Sequence, residues 1–153
     1  MKLILLVILS LTLCMPGTPN RPSIILICDD DKPDLALQKH HLAKYDCVVI
    51  ECLSSSEALR LLALNWYDYA FIDVYLDFMT GLDVVRLAKP KNPLVEFYLV
   101  SGRWTGKMLL EAAQLSEDLG GRVRPIIKNA AHSEKMATFA DALKWLSLRE
   151  RKY

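Results

Sequence analysis

The sequence predicts an α/β protein: a parallel five-stranded sheet with helices on both faces. Three observations carry this expectation. Five short apolar runs of strand length alternate with five stretches of helical periodicity. The first run is continuously apolar rather than alternating, as a strand covered on both faces requires. Four of the runs end in polar residues of complementary chemistry: Asp29 and Asp30, Asp73, Ser101, and Lys128. In a parallel sheet all strand C-termini share one edge, so these side chains can converge although they are far apart in the chain.

Ser23 to Cys28, SIILIC, is rich in β-branched residues and runs into Asp29-Asp30-Asp31. Pro33 stands where a first helical turn accepts proline, with acids nearby to suit the positive end of the dipole. Leu35 to Ala43 is the first helix and Cys47 to Ile50 the second strand. Ser54 to Glu57 reads as a capping box, continued by Ala58, Leu59, Leu62 and Ala63 as the second helix. The chain is organised around Asp68 to Asp83, DYAFIDVYLDFMTGLD. There Tyr69 to Asp73 is the third strand, a loop reaches Gly81, and Leu82 to Lys89 is a short third helix stopped by Pro90. Leu94 to Val100 is the fourth strand, ending at Ser101. Met108, Ala112, Leu115 and Leu119 share a face of the fourth helix, which Gly120-Gly121 ends. Val123 to Ile127 is the fifth strand, ending at Lys128, and Met136, Phe139, Ala140, Leu143 and Leu146 form the apolar face of the fifth helix.

At 153 residues the chain suits one domain with a substantial core, and 52% hydrophobic residues exclude general disorder. The net charge of +1, with Lys and Arg spread along the chain, argues against direct nucleic-acid binding. The four cysteines, Cys14, Cys28, Cys47 and Cys52, show no C-x-x-C spacing and read as reduced thiols. Residues 1–22 differ from the rest: one Lys, an apolar run from Leu3 to Leu13, then a Pro-rich linker from Pro16 to Pro22. The run is too short to span a bilayer as a helix. It has three readings: an export signal, a weak membrane tether, or sequence upstream of a natural start at Met15.

The polar strand ends have a common chemistry. Three carboxylates, Asp29, Asp30 and Asp73, would repel one another unless a cation joined them. Mg²⁺ suits such a site, because it takes oxygen ligands from one or two carboxylates, waters and phosphate oxygens. An Asp can then act as nucleophile toward a phosphoryl group. A metal and Lys128 would neutralise its equatorial oxygens, and a hydroxyl such as Ser101 would donate to them.

Residues 23–149 resemble the receiver domain of bacterial two-component response regulators. The resemblance rests on the acid pair Asp29-Asp30, Asp73 after the third strand, Gly81 eight residues later, Ser101, Lys128, and the Ser-x-x-Glu-Ala-Leu start at Ser54. It implies a flavodoxin-like fold with strand order 2-1-3-4-5. It implies that Asp73 accepts a phosphoryl group from a histidine kinase or phosphotransfer protein. Asp30, Asp73 and the Tyr75 carbonyl would bind Mg²⁺ directly, and Asp29 through a water. Ser101 and Lys128 would hold the phosphoryl oxygens. The protein would be a phosphoacceptor rather than a turnover enzyme, a single-domain regulator signalling by contact with a downstream protein. Helix four, strand five and helix five would form that output face. The donor lies inside the cell, so a cytoplasmic location is expected, with membrane contact only if the N-terminal run is kept as a tether. Residues 150–153 form a tail.

Three positions depart from the family pattern. Asn129 stands where a Pro usually follows the Lys, Pro125 where an aromatic switch residue often stands, and Asp77 where a Pro is common. They motivate an alternative, a pseudo-receiver that binds partners without being phosphorylated. A haloacid-dehalogenase phosphatase would need an Asp where Tyr75 stands, and GRWTGK at 102–107 lacks the spacing of a phosphate loop. His40, His41 and His132 read as solvated, and Trp66, Trp104 and Trp145 as packing residues.

Overall fold

The computed structural model describes residues 21–128, 136–146 and 148. Its elements are β1 Ser23–Cys28, α1 Lys32–Leu42, β2 Cys47–Cys52, α2 Ser55–Leu64, β3 Tyr69–Asp73, α3 Gly81–Ala88, β4 Glu96–Ser101, α4 Gly106–Asp118, β5 Val123–Ile127 and α5 Phe139–Trp145. The sheet order is β2-β1-β3-β4-β5 and every pairing is parallel. This is the flavodoxin-like order. The chain starts in the middle, moves outward to β2, then crosses over to β3. The strand order therefore reverses between β1 and β3, where open α/β sheets bind their ligands.

Alternate residues of each strand face opposite layers. Ile25, Ile27, Phe71, Tyr98 and Val100 pack under α1 and α5 through Leu35, Leu42, Phe139 and Leu143. Leu26, Cys28, Ala70, Ile72, Phe97 and Leu99 pack under α2, α3 and α4. Phe71 stacks on Tyr98 with ring centroids 4.7 Å apart, and Phe139 closes on Phe71 at the same distance. Cys28, Cys47 and Cys52 are buried, as expected from their apolar surroundings.

Caps decide where the helices begin. Asp31 accepts from the Asp34 N–H at 3.1 Å, so α1 starts at Lys32 and takes Pro33 into its first turn, earlier than expected. Ser54 caps α2 by accepting from Glu57 N. The Glu57 carboxylate reaches Leu53 N rather than Ser54 N, so only half of the expected capping box forms. Pro90 does not stop α3 directly; the chain passes through a 3-10 turn at Lys89–Lys91, where a first-turn proline fits. Gly120 and Gly121 end α4 with φ of 75° and 84°, the left-handed conformation glycine adopts at low cost. Thr138 and Asp141 form a reciprocal cap that starts α5 at Phe139. Met136 therefore precedes the helix, and Ala140 faces solvent instead of the core. The buried positions are Phe139, Ala142 and Leu143, with Leu146 just past the end.

Trp104 packs as expected and its indole N–H donates to Ile126 O at 2.8 Å. Trp66 and Trp145 do not; each is half exposed. Arg21, in the stretch read as linker, forms a two-pronged ion pair with Asp68 at 2.7 and 2.8 Å. Residues 1–20, Asn129 and His132 lie outside the described residues. Among the described residues no helix is long and apolar enough to cross a membrane.

Gly81 ties α3 to the strand that ends in Asp73. Its N–H donates to Val74 O at 2.9 Å, and a Cβ there would overlap the Asp73 carbonyl oxygen. Backbone atoms cannot swing aside as a flexible side chain can. Gly81→Ala is expected to cost about 3 kcal/mol or more of unfolding free energy, the upper end of overpacking penalties. Chemical denaturation measures it, and a loss below about 1 kcal/mol would show that the β3–α3 junction relaxes freely.

Candidate functional site

Asp29 is the first residue beyond β1 and Asp73 the last of β3, so the reversal of strand order sets them side by side. Asp29 is wholly buried and Asp73 is 4% exposed, while Asp30 faces solvent. One carboxylate oxygen from each of Asp29, Asp30 and Asp73 lies within 4.8 Å of the others. That spacing, with oxygen donors alone, fits a hard divalent cation.

Lys128 follows β5, and its N–H donates to Ser101 O at 3.0 Å, extending the ladder by one residue. Its side chain reaches back across the sheet edge. Nζ lies 2.8 Å from Asp29 Oδ2, 2.8 Å from Asp34 Oδ2 and 3.3 Å from Asp73 Oδ1. Lys128 therefore meets both buried acids predicted to join it.

Two neighbours escaped sequence reasoning. Asp34 and Gln38 lie one helical turn apart on α1. Asp34 grips Lys128, and Gln38 Nε2 donates to Asp29 Oδ2 at 3.2 Å. Gln38 left a signal, since it occupies the same buried stripe as Leu35 and Leu42. A polar residue in a buried stripe needs a polar partner. Asp34 left none, because an acid in a first turn is accounted for by the helix dipole.

Ser101 is fully buried at the end of β4. Its hydroxyl donates to Arg103 O at 2.9 Å and accepts from Arg103 N at 3.1 Å, closing its own turn. Tyr75 sits in the loop beyond Asp73, is 56% exposed, and donates its hydroxyl to Met108 Sδ at 3.3 Å. Asp77 is not a further member of the acid cluster. Its carboxylate accepts from Ser55 N at 2.9 Å, and Ser55 Oγ donates to Asp77 O at 2.8 Å, pinning the β3–α3 loop to the start of α2. Pro125 lies in β5, an edge strand, where a missing N–H is tolerated.

The charges are strained by burial. Burial pushes the Asp73 carboxyl up to about 7; the Lys128 charge opposes this and the Asp29 and Asp30 charges add to it. Burial also raises Asp29, against hydrogen bonds from Lys128 and Asp31 N. Burial alone would lower Lys128, but hydrogen bonds to Asp29 and Asp34 and the Asp73 charge outweigh it, so Lys128 is raised and stays charged. A buried acid with a raised pKa binds its proton more tightly folded than unfolded. Its contribution to stability is present below the unfolded pKa near 4 and is lost as pH rises through about 7. In chelator-treated protein, Asp73→Asn is thus expected to change stability little at pH 4 and to stabilise by about 4 kcal/mol at pH 8. Denaturation midpoints across that range test it; a pH-independent difference would show that Asp73 titrates normally.

The comparisons agree with this geometry. The profile described as response regulator receiver domain matches residues 25–118. A CheY-like response regulator receiver domain protein from Methanospirillum hungatei is 22% identical, with a TM-score of 0.65, over 81% of this chain and 90% of that one. A receiver domain of an HD domain-containing protein from Pseudomonas fluorescens is 21% identical, with a TM-score of 0.64, over 73% and 79%. A Burkholderia pseudomallei response regulator, solved with a phosphorylated aspartic acid, a calcium ion and citrate, is 17% identical, with a TM-score of 0.60, over 80% and 71%. No curated protein matches the chain in sequence. With the profile covering more than half of its length, and the same fold in these structures, the chain belongs to the response regulator receiver domain family.

Proposed function

We propose that Asp73 accepts a phosphoryl group from the phosphohistidine of a kinase or phosphotransfer protein, and that a downstream protein reads the result by contact. The observation that carries this reading is the meeting of Asp29, Asp30 and Asp73 within 4.8 Å, with Lys128 Nζ 3.3 Å from Asp73. An Asp73 oxygen attacks phosphorus, the new O–P bond forms as the P–N bond to the donor imidazole breaks, and the imidazole nitrogen keeps the electron pair. Lys128 brings positive charge to the phosphoryl oxygens. Ser101 would add a hydrogen bond to them once its hydroxyl leaves the Arg103 carbonyl. Asp30, Asp73 and the Tyr75 carbonyl, with Asp29 through a water, would hold Mg²⁺, which when bound supplies charge neutralisation for the acids and the incoming group.

The residues around the site support contact with protein partners. Phe78, five residues beyond Asp73, is 96% exposed and has φ of 53°. A bulky side chain in the left-handed region costs about 1–2 kcal/mol, and an exposed phenyl gains no burial in return. Such a residue at the rim suits an approaching protein surface. On α4, Leu110 is 74% exposed, and between β5 and α5 the Arg124 guanidinium lies 5.8 Å from the half-exposed Trp145 ring. We take this as the output face and the cell interior as the place of action. A second reading, a pseudo-receiver that is not phosphorylated, draws on the Ser101 hydroxyl being closed into its own turn and on Pro125 in place of an aromatic residue.

Incubation with Mg²⁺ and phosphoramidate, followed by intact mass, is expected to add one phosphoryl group to the wild type. Asp73→Asn and chelator treatment should each abolish the addition. An unmodified wild type would favour the second reading.

A further inference from the structure

We infer that Asp34 is a positioning residue that competes with the incoming phosphoryl group for Lys128. The inference rests on Asp73 being the phosphoacceptor. An ammonium group has three N–H donors. In this structure three carboxylates surround that of Lys128: Asp29 and Asp34 at 2.8 Å and Asp73 at 3.3 Å. A phosphoryl oxygen can take a donor only if one of these contacts is given up.

The three acids are not equally easy to release. Asp73 stays beside Lys128 through its covalent bond to the new group, and forming that mixed anhydride removes the carboxylate's own charge. Asp29 is wholly buried and is also held by Gln38 Nε2 and Asp31 N. Stripping it of the ammonium would leave a buried charge poorly compensated. The Asp34 side chain is 39% exposed, so water can replace the lysine. Asp34 also stands outside the group formed by Asp29, Asp30 and Asp73, so a cation held there leaves its charge facing Lys128. Breaking the Lys128–Asp34 pair is therefore part of the barrier to phosphorylation. A partly exposed ion pair contributes up to about 1 kcal/mol, which corresponds to about fivefold in rate.

The test compares phosphorylation rates of the full chain with phosphoramidate and Mg²⁺ in wild type, Asp34→Asn, Asp34→Ser, Asp34→Glu, Lys128→Met and the double variant Asp34→Asn with Lys128→Met. Thermal melts confirm that each is folded, and Asp34→Ser stands in should Asp34→Asn not fold. Asp34→Asn and Asp34→Ser are expected to react about two- to fivefold faster than wild type. Asp34→Glu, which keeps the carboxylate, should return the rate toward the wild-type value. In the Lys128→Met background Asp34→Asn should change nothing. Equal or slower rates in Asp34→Asn and Asp34→Ser overturn the inference, while phosphorylation of wild type leaves the phosphoacceptor reading intact. So does the same acceleration in the Lys128→Met background, which would mark a general charge effect. A wild type that takes no phosphoryl group overturns the reading and the inference together.

Discussion

A single ammonium group makes the rest of the sheet edge tolerable. Asp29 and Asp73 are carboxylates at the ends of two adjacent central strands, almost entirely removed from water. Two such charges side by side would repel each other as well as lose their hydration. Lys128 reaches both from the end of β5, and the pair can be buried because it does. The compensation is incomplete, since the Asp73 carboxyl remains well above its ordinary range. The site thus favours any further positive charge.

The scaffold serves that arrangement. The reversal of strand order brings β1 beside β3, and parallel pairing aligns their C-terminal ends. Two contacts hold the loop between β3 and α3. Gly81 brings α3 against the backbone of Asp73, and Asp77 fastens the loop to α2 through Ser55. On the opposite layer α1 reaches the site through Asp34 and Gln38. On the proposed reading, in which Asp73 is the phosphoacceptor, its phosphorylation would be felt by α1 through the Lys128–Asp34 pair. That link is independent of an aromatic residue at the place of Pro125.

Much of this was legible in the chain because it depends on local pattern. Continuous apolar runs mark strands buried on both faces, and β1, β3 and β5 keep their expected limits. Boundaries shifted where hydrogen bonds outrank hydrophobic periodicity. Thr138 and Asp141 start α5 at Phe139, which leaves Met136 outside and turns Ala140 to solvent. Asp77 shows the same limit at the site. Proximity in sequence suggests another acid for the cluster, but backbone N–H groups at the start of α2 draw its carboxylate away.

By itself the sequence determined the elements, their alternation, and the set of acids and lysine at the strand ends. Those follow from side-chain periodicity and from the rule that parallel strands share one C-terminal edge. Only the tertiary structure decided how the charges are shared. Whether Lys128 leans on Asp29, Asp34 or Asp73 depends on distances between segments up to 99 positions apart, and on which acid keeps its water. Pairwise electrostatics depend on separation and burial, and neither quantity is written in the order of residues.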